Sequence, residues 1–94
     1  MITLIAKVKV KEGKMDEAVK ALKEIVPKIK EAEPGCLAYI PHTVRGEENT
    51  IIFYEKYQDQ DALKVHSGNL KKSLEKFLPL LEPGMDVKTC SEIL

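Results

Sequence analysis

Ile51-Ile52-Phe53-Tyr54-Glu55-Lys56-Tyr57-Gln58-Asp59-Gln60-Asp61-Ala62-Leu63-Lys64-Val65-His66 reads as a strand that turns sharply into a helix. Tyr57 closes the strand. Asp59 is a good N-cap for a helix starting near Gln60, because its carboxylate can accept from the free N–H groups of the first turn. His66 then falls one turn into the helix, on its apolar side. A strand end and the helix that follows it can bring Tyr57 and His66 to the mouth of one pocket, and no other segment places a titratable group in such a context.

Working outward, residues 2–10 alternate. Ile2, Leu4, Ala6, Val8 and Val10 point one way, and Thr3, Ile5, Lys7 and Lys9 the other. A period of two predicts a strand with one well-buried face. Lys11-Glu12-Gly13-Lys14 supplies a turn. From about 14 to 32 the apolar residues Met15, Ala18, Val19, Leu22, Ile25, Val26 and Ile29 form a helical stripe. Asp16 and Glu17 suit the positive end of that helix. Pro27 lies within the stripe, where the loss of one N–H predicts a kink or a new segment. Glu33-Pro34-Gly35 ends the helix.

Residues 36–43 predict a second strand, placed at a sheet edge by Pro41, which cannot donate to a ladder. Arg45-Gly46-Glu47-Glu48-Asn49 reads as a polar hairpin loop and residues 50–57 as the third strand. Ser67-Gly68-Asn69 is expected to interrupt the next helix, with Leu70, Leu74, Phe77, Leu78 and Leu81 carrying a further stripe. Glu82-Pro83-Gly84 reads as a breaker, and residues 86–93 as the last strand. The order is β-α-β-β-α-β. Right-handed crossovers fold it into a ferredoxin-like α+β domain spanning 1–94, with a four-stranded antiparallel sheet in the order 4-1-3-2 and both helices on one face.

That arrangement leaves the other face bare. It carries Ile5 and further apolar residues of the second and third strands. Apolar sheet surface of that extent seldom stays open to water, and the simplest cover is a second copy packed face to face in a symmetric homodimer.

Composition narrows the remaining classes. The chain has 15 Lys and Arg against 15 Asp and Glu, interleaved, so it lacks the basic footprint of a nucleic-acid binder. No apolar run approaches the roughly 20 residues needed to cross a bilayer, so no membrane partner is expected. The first residues lack a basic segment followed by a long apolar one, which reads against a signal peptide and for a cytoplasmic protein with reduced cysteines. Cys36 and Cys90 fall on strands at opposite edges, too far apart for a bridge. Two histidines on separate elements, with no third ligand at recognisable spacing, give no metal site.

Several residues carry two readings. Free imidazole titrates near pH 6.5, about right for either a base or an oxyanion donor; His66 could equally cap a first half-helix before Ser67-Gly68. Tyr57 shares a strand face with Phe53 and Glu55, and its hydroxyl could reach a substrate oxygen or simply be the wet tip of a strand-end aromatic. Glu55 is a candidate base with a raised pKa if it faces a pocket, and inert if it faces water or a lysine. Tyr39 is either pocket wall or core. His42, beside Pro41 near the hairpin, is expected in solvent.

The chain resembles the antibiotic biosynthesis monooxygenase superfamily of dimeric α+β barrels. The resemblance covers nearly the whole chain. It rests on the strand-and-turn pattern Ile2–Gly13, on Glu33-Pro34-Gly35-Cys36-Leu37-Ala38-Tyr39, on Tyr54-Glu55-Lys56-Tyr57 with Asp61-Ala62-Leu63 and His66, and on Pro79-Leu80-Leu81. Ile25-Val26-Pro27-Lys28 with Gly35-Cys36 is similar to the quinol monooxygenase branch, and Tyr54–His66 also to the autoinducer-degrading branch, which isomerises a small phosphorylated diketone. The resemblance implies a cofactor-independent enzyme that deprotonates a small quinol or phenol in a dry pocket and lets the anion react with oxygen. It implies His66 as acid/base, at the family's recurring helix histidine, and Tyr57, where many members carry Trp, as the group orienting substrate. Tyr39, Phe53, Glu55 and Val8 are the candidate substrate-binding residues. Val8 and Leu74 stand where the haem-degrading branch carries Asn and its axial His, so no haem is implied. An isomerase or degrader of a small phosphorylated dicarbonyl and a non-catalytic ligand-binding module are the alternatives. An aromatic content of 5% argues against a large polyaromatic substrate.

Overall fold

The computed structural model describes residues 1–94. Four strands and two helices follow the expected order: β1 Ile2–Val10, α1 Met15–Ala32, β2 Cys36–Val44, β3 Glu47–Tyr57, α2 Gln60–Ser73 and β4 Leu81–Ser91. The strands pair antiparallel in the order β2-β3-β1-β4, the expected sheet read from its other edge. No helix is long and apolar enough to cross a membrane.

Alternation in β1 decides the layering. Leu4, Ala6, Val8 and Val10 are buried on the helix-covered face, and α1 contributes Ala18, Leu22, Ile25 and Ile29 to the same core. Ile51 and Phe53 of β3, Tyr39 of β2, and Leu74 and Phe77 after α2 complete it. Phe53 and Phe77 meet edge to face at 5.8 Å, the favoured geometry for two rings of like quadrupole.

Four local expectations are corrected. The helix α1 continues through Pro27, so no new segment starts there. Pro27 and Lys23, whose carbonyl loses its donor there, are both exposed, so water can satisfy that group and the cost is small. The hairpin turn is only Arg45-Gly46; Glu48 and Asn49 belong to β3 within a register shift, where Asn49 takes φ 63°. Three surplus residues of β3, Glu48 to Thr50, bow out there as an extended bulge, and Asn tolerates its left-handed backbone. The helix α2 is not interrupted at Ser67-Gly68-Asn69 but continues to Ser73. Finally, β4 begins at Leu81 and runs through Pro83 and Gly84. Val8 pairs with Met85 but Val10 with Leu81, so β4 accommodates two extra residues there, at an edge where proline is tolerated.

Gly35 fixes how the two helices meet. Its carbonyl accepts from Gln58 N at 2.9 Å, which ties the turn after α1 to the turn before α2. Asp59 caps α2 as expected, accepting from Ala62 N at 2.9 Å. A Cβ on Gly35 would lie 2.5 Å from Cβ of Ala62. That close approach sets α2 against the end of α1, and His66 follows Ala62 one turn later on the same face. Gly35→Ala is therefore expected to destabilise the domain by roughly 1–3 kcal/mol, the usual range for overpacking. The midpoint of urea unfolding measures it, and an unchanged midpoint would refute this account of the turn.

Candidate functional site

His66 is the only residue of α2 that is fully buried, at 3% exposure. A histidine cannot be enclosed cheaply without partners for both ring nitrogens. Nδ1 lies 3.0 Å from Oε1 of Glu33, and Nε2 lies 3.6 Å from Oε1 of Glu55. Both carboxylates are themselves buried, Glu33 at 3% and Glu55 at 5% exposure. An ionised carboxylate only accepts, so Glu33 holds the ring proton on Nδ1 and leaves Nε2 turned toward Glu55. The rings of Tyr39 and Tyr57 stand on either side of this network, 5.3 and 5.1 Å from the imidazole.

Tyr57 completes it. Its hydroxyl donates to Oε1 of Glu55 at 2.6 Å, short for a bond to a neutral group and typical of one to a carboxylate. The side chain has no exposed surface and lies behind Glu55, away from the cavity wall. Its hydroxyl is already committed to Glu55. Oε2 of Glu55 makes no hydrogen bond and is not among the enclosed unpaired atoms, which leaves it open to the cavity.

The cavity has a volume of about 210 Å³ and lies between the sheet and α2. Glu55 and His66 form its polar end, with Tyr39 beside them; Leu4, Ala6 and Phe53 form its floor, and Leu70, Leu74 and Phe77 its roof. Its mouth is at β4, where Met85 and Val87 are 42% and 46% exposed. A cavity of about 150 Å³ with apolar walls accommodates benzene, so this one suits a single substituted ring. No lysine or arginine lines it.

Burial sets the electrostatics. It pushes the Glu55 carboxyl above the ordinary carboxylate range, against the opposing pull of the Tyr57 hydroxyl and His66. Burial and then the neighbouring Glu55 push the Tyr39 phenol well above its usual value, and burial with the hydrogen bond to Glu55 does the same to Tyr57. The Cys36 thiol is raised by burial and by Glu33 and Glu55, which makes it a poor nucleophile. Cys36 and Cys90 are both free, on opposite edges.

Of the residues expected from sequence, His66, Glu55, Tyr39 and Phe53 meet around one cavity. Two do not. Tyr57 backs the site without facing it, and Val8 is buried core outside the cavity lining. The reading of His66 as a cap between two half-helices fails with the continuity of α2, and the reading of Glu55 as solvated or lysine-paired fails with its burial. His42 is exposed, its ring nitrogen 2.9 Å from the carbonyl of Ile40. Glu33 was not anticipated. One signal pointed to it: a carboxylate at a helix C-terminus opposes the helix dipole, so it needs a cationic or donor partner elsewhere.

Residues 1–80 match the family described as antibiotic biosynthesis monooxygenase. The chain belongs to that family. It is 34% identical over 89 residues to the Bacillus subtilis protein "Putative monooxygenase YcnE", covering 93% of each. It is 31% identical over 89 residues to the Synechocystis "Uncharacterized protein sll1783", of which it spans 60%. The crystal structure of a "putative antibiotic biosynthesis monooxygenase" from Caulobacter crescentus superposes with a TM-score of 0.89 at 28% identity, over 99% of this chain and 90% of that one. A Nitrosomonas europaea structure shares the fold over the full length of both chains, with a TM-score of 0.87 at only 14% identity.

The raised pKa of Glu55 has a definite sign. The folded chain holds that proton more tightly than the unfolded chain, so the group stabilises the fold below the ordinary carboxylate pKa and this contribution is lost as pH rises through the folded value. Glu55→Gln keeps an acceptor for Tyr57 but cannot ionise. Its melting temperature should match the parent near pH 4 and exceed it by a few degrees at pH 8. A difference that does not vary with pH would exclude a strained Glu55 carboxylate.

Proposed function

We propose that the chain is a monooxygenase acting on a small quinol or phenol without a bound cofactor. The observation that carries this reading is a buried imidazole, oriented by Glu33, at the polar end of an apolar cavity the size of one ring. In this scheme His66 Nε2 takes the proton of a ring hydroxyl, with Glu55 and Tyr39 contacting the substrate oxygens. The carbon beside the resulting oxyanion adds oxygen as a hydroperoxide. Its O–O bond breaks with loss of water, leaving one oxygen atom on a hydroxylated quinone. Tyr57 takes a different role from the one expected: it positions Glu55. The same base could move a proton beside a carbonyl, but a phosphorylated dicarbonyl would need a cation, and the cavity wall carries none.

The test is oxygen uptake by the purified protein with a panel of hydroquinones in air. His66→Ala should lower kcat by roughly 100-fold or more, within the range for loss of a general base. Tyr57→Phe should lower it less. No uptake from any hydroquinone excludes this substrate class, and uptake unchanged in His66→Ala removes His66 from the chemistry.

We also infer that a second copy covers the open sheet face. A row formed by Ile40, Tyr54 and Ile5 crosses β2, β3 and β1 there, with Ile52 next to it, and none of the four is fully buried. By sedimentation the parent should run at twice the chain mass and Tyr54→Asp at the mass of one chain; a monomeric parent would refute the inference.

A further inference from the structure

Glu33 faces two ways. Its Oε1 bonds Nδ1 of His66, on the side of the ring-sized cavity. Its other oxygen makes no hydrogen bond and is not among the enclosed unpaired atoms. Glu33 also lines a second depression, of about 410 Å³, between the last turns of α1 and the second half of α2. Asn69, Ser73, Lys28 and Lys72 form much of its wall. Asn69 and Ser73 follow His66 along one face of α2, at the spacing of helical neighbours. No residue lines both spaces. The Glu33–His66 hydrogen bond is thus the partition between a polar depression and an apolar cavity.

We propose that Glu33 carries protons between His66 and solvent by way of this depression, so that the imidazole charges and discharges without water entering the cavity. In the outward direction the ring starts as an imidazolium, after Nε2 has taken a proton. Its Nδ1–H bond breaks, leaving a neutral ring protonated on Nε2, and the proton passes to the Glu33 carboxylate. The resulting carboxylic acid gives it to water in the depression and returns to carboxylate. The inward direction reverses both transfers, and no electron moves. Lys28, Lys72 and Lys76, with Glu24 and Glu75, make the depression a polar, water-accessible space. A base whose cavity is filled by substrate must exchange its proton through another door, and Glu33 is placed at one. That use rests on the reading of His66 as the base; the proton exchange itself does not.

The test is the rate at which the His66 Nδ1 proton exchanges with water, read by NMR on protein labelled with ¹⁵N-histidine, without substrate. Asn69→Trp fills the depression from the exposed face of α2 and should slow exchange roughly tenfold or more, as loss of a proton-transfer partner does. Glu33→Gln still accepts from Nδ1 but cannot carry the proton, and should slow it at least as much. Benzene added to fill the inner cavity, with occupancy read from the Leu70 and Leu74 methyl shifts, should leave the rate unchanged. Exchange at the parental rate in Asn69→Trp, or slowing by benzene, would overturn the proposal. If Glu33→Gln does not fold, these two arms decide the matter. None of them needs oxygen uptake, so failure of the monooxygenase reading and failure of the relay are separate results.

Discussion

Moving an imidazole and two carboxylates out of water costs several kcal/mol for each charge that lacks a partner. In this chain that cost is met by one connected network, Glu33–His66–Glu55–Tyr57. Its members come from the end of α1, from β3 and from α2, so it exists only when all three elements are docked. The dependence is strongest for α2, whose single fully buried residue is the histidine. A helix held this way is positioned by a polar contact as much as by its half-buried Ala62, Leu63 and Leu70. Gly35 supplies the geometry: without the close approach to Ala62, His66 would not arrive beside Glu33.

The same network shapes the chemistry available. One imidazole nitrogen is engaged, the other is turned to an apolar space, and burial raises the proton affinity of the carboxyl beside it. These are the ingredients of a base that works in a dry pocket. The scaffold does not specify them. The Nitrosomonas europaea structure shares this fold at 14% identity, as expected when a layer pattern is kept and individual residues are not; function resides in the side chains grafted onto it.

Much of the fold was legible because the signals are local. The period of two in β1, the stripe of α1 and the Asp59 cap need only neighbouring residues to be read. The failures share a cause. Gly68 costs a helix about 1 kcal/mol, but His66 and Leu70 on either side are anchored by groups distant in sequence, and the helix continues. Pro83-Gly84 reads as a break until the strand is seen to lie at an edge, where two surplus residues can bow outward. At the site, strand parity placed Phe53, Glu55 and Tyr57 on one face but could not say that Tyr57 would spend its hydroxyl on Glu55. Glu33 was harder still, since its partner lies 33 residues further along the chain and only its opposition to the helix dipole marked it.

Both outer strands of the sheet carry a proline, Pro41 in β2 and Pro83 in β4, and each strand departs from regular register along its length. Each lacks an N–H donor at its proline, and each carries a surplus residue that breaks a regular template. The sheet is therefore closed to growth at its sides. Copies of this chain cannot readily add to one another strand by strand, the route by which exposed edges seed fibres. What remains for contact is the broad face.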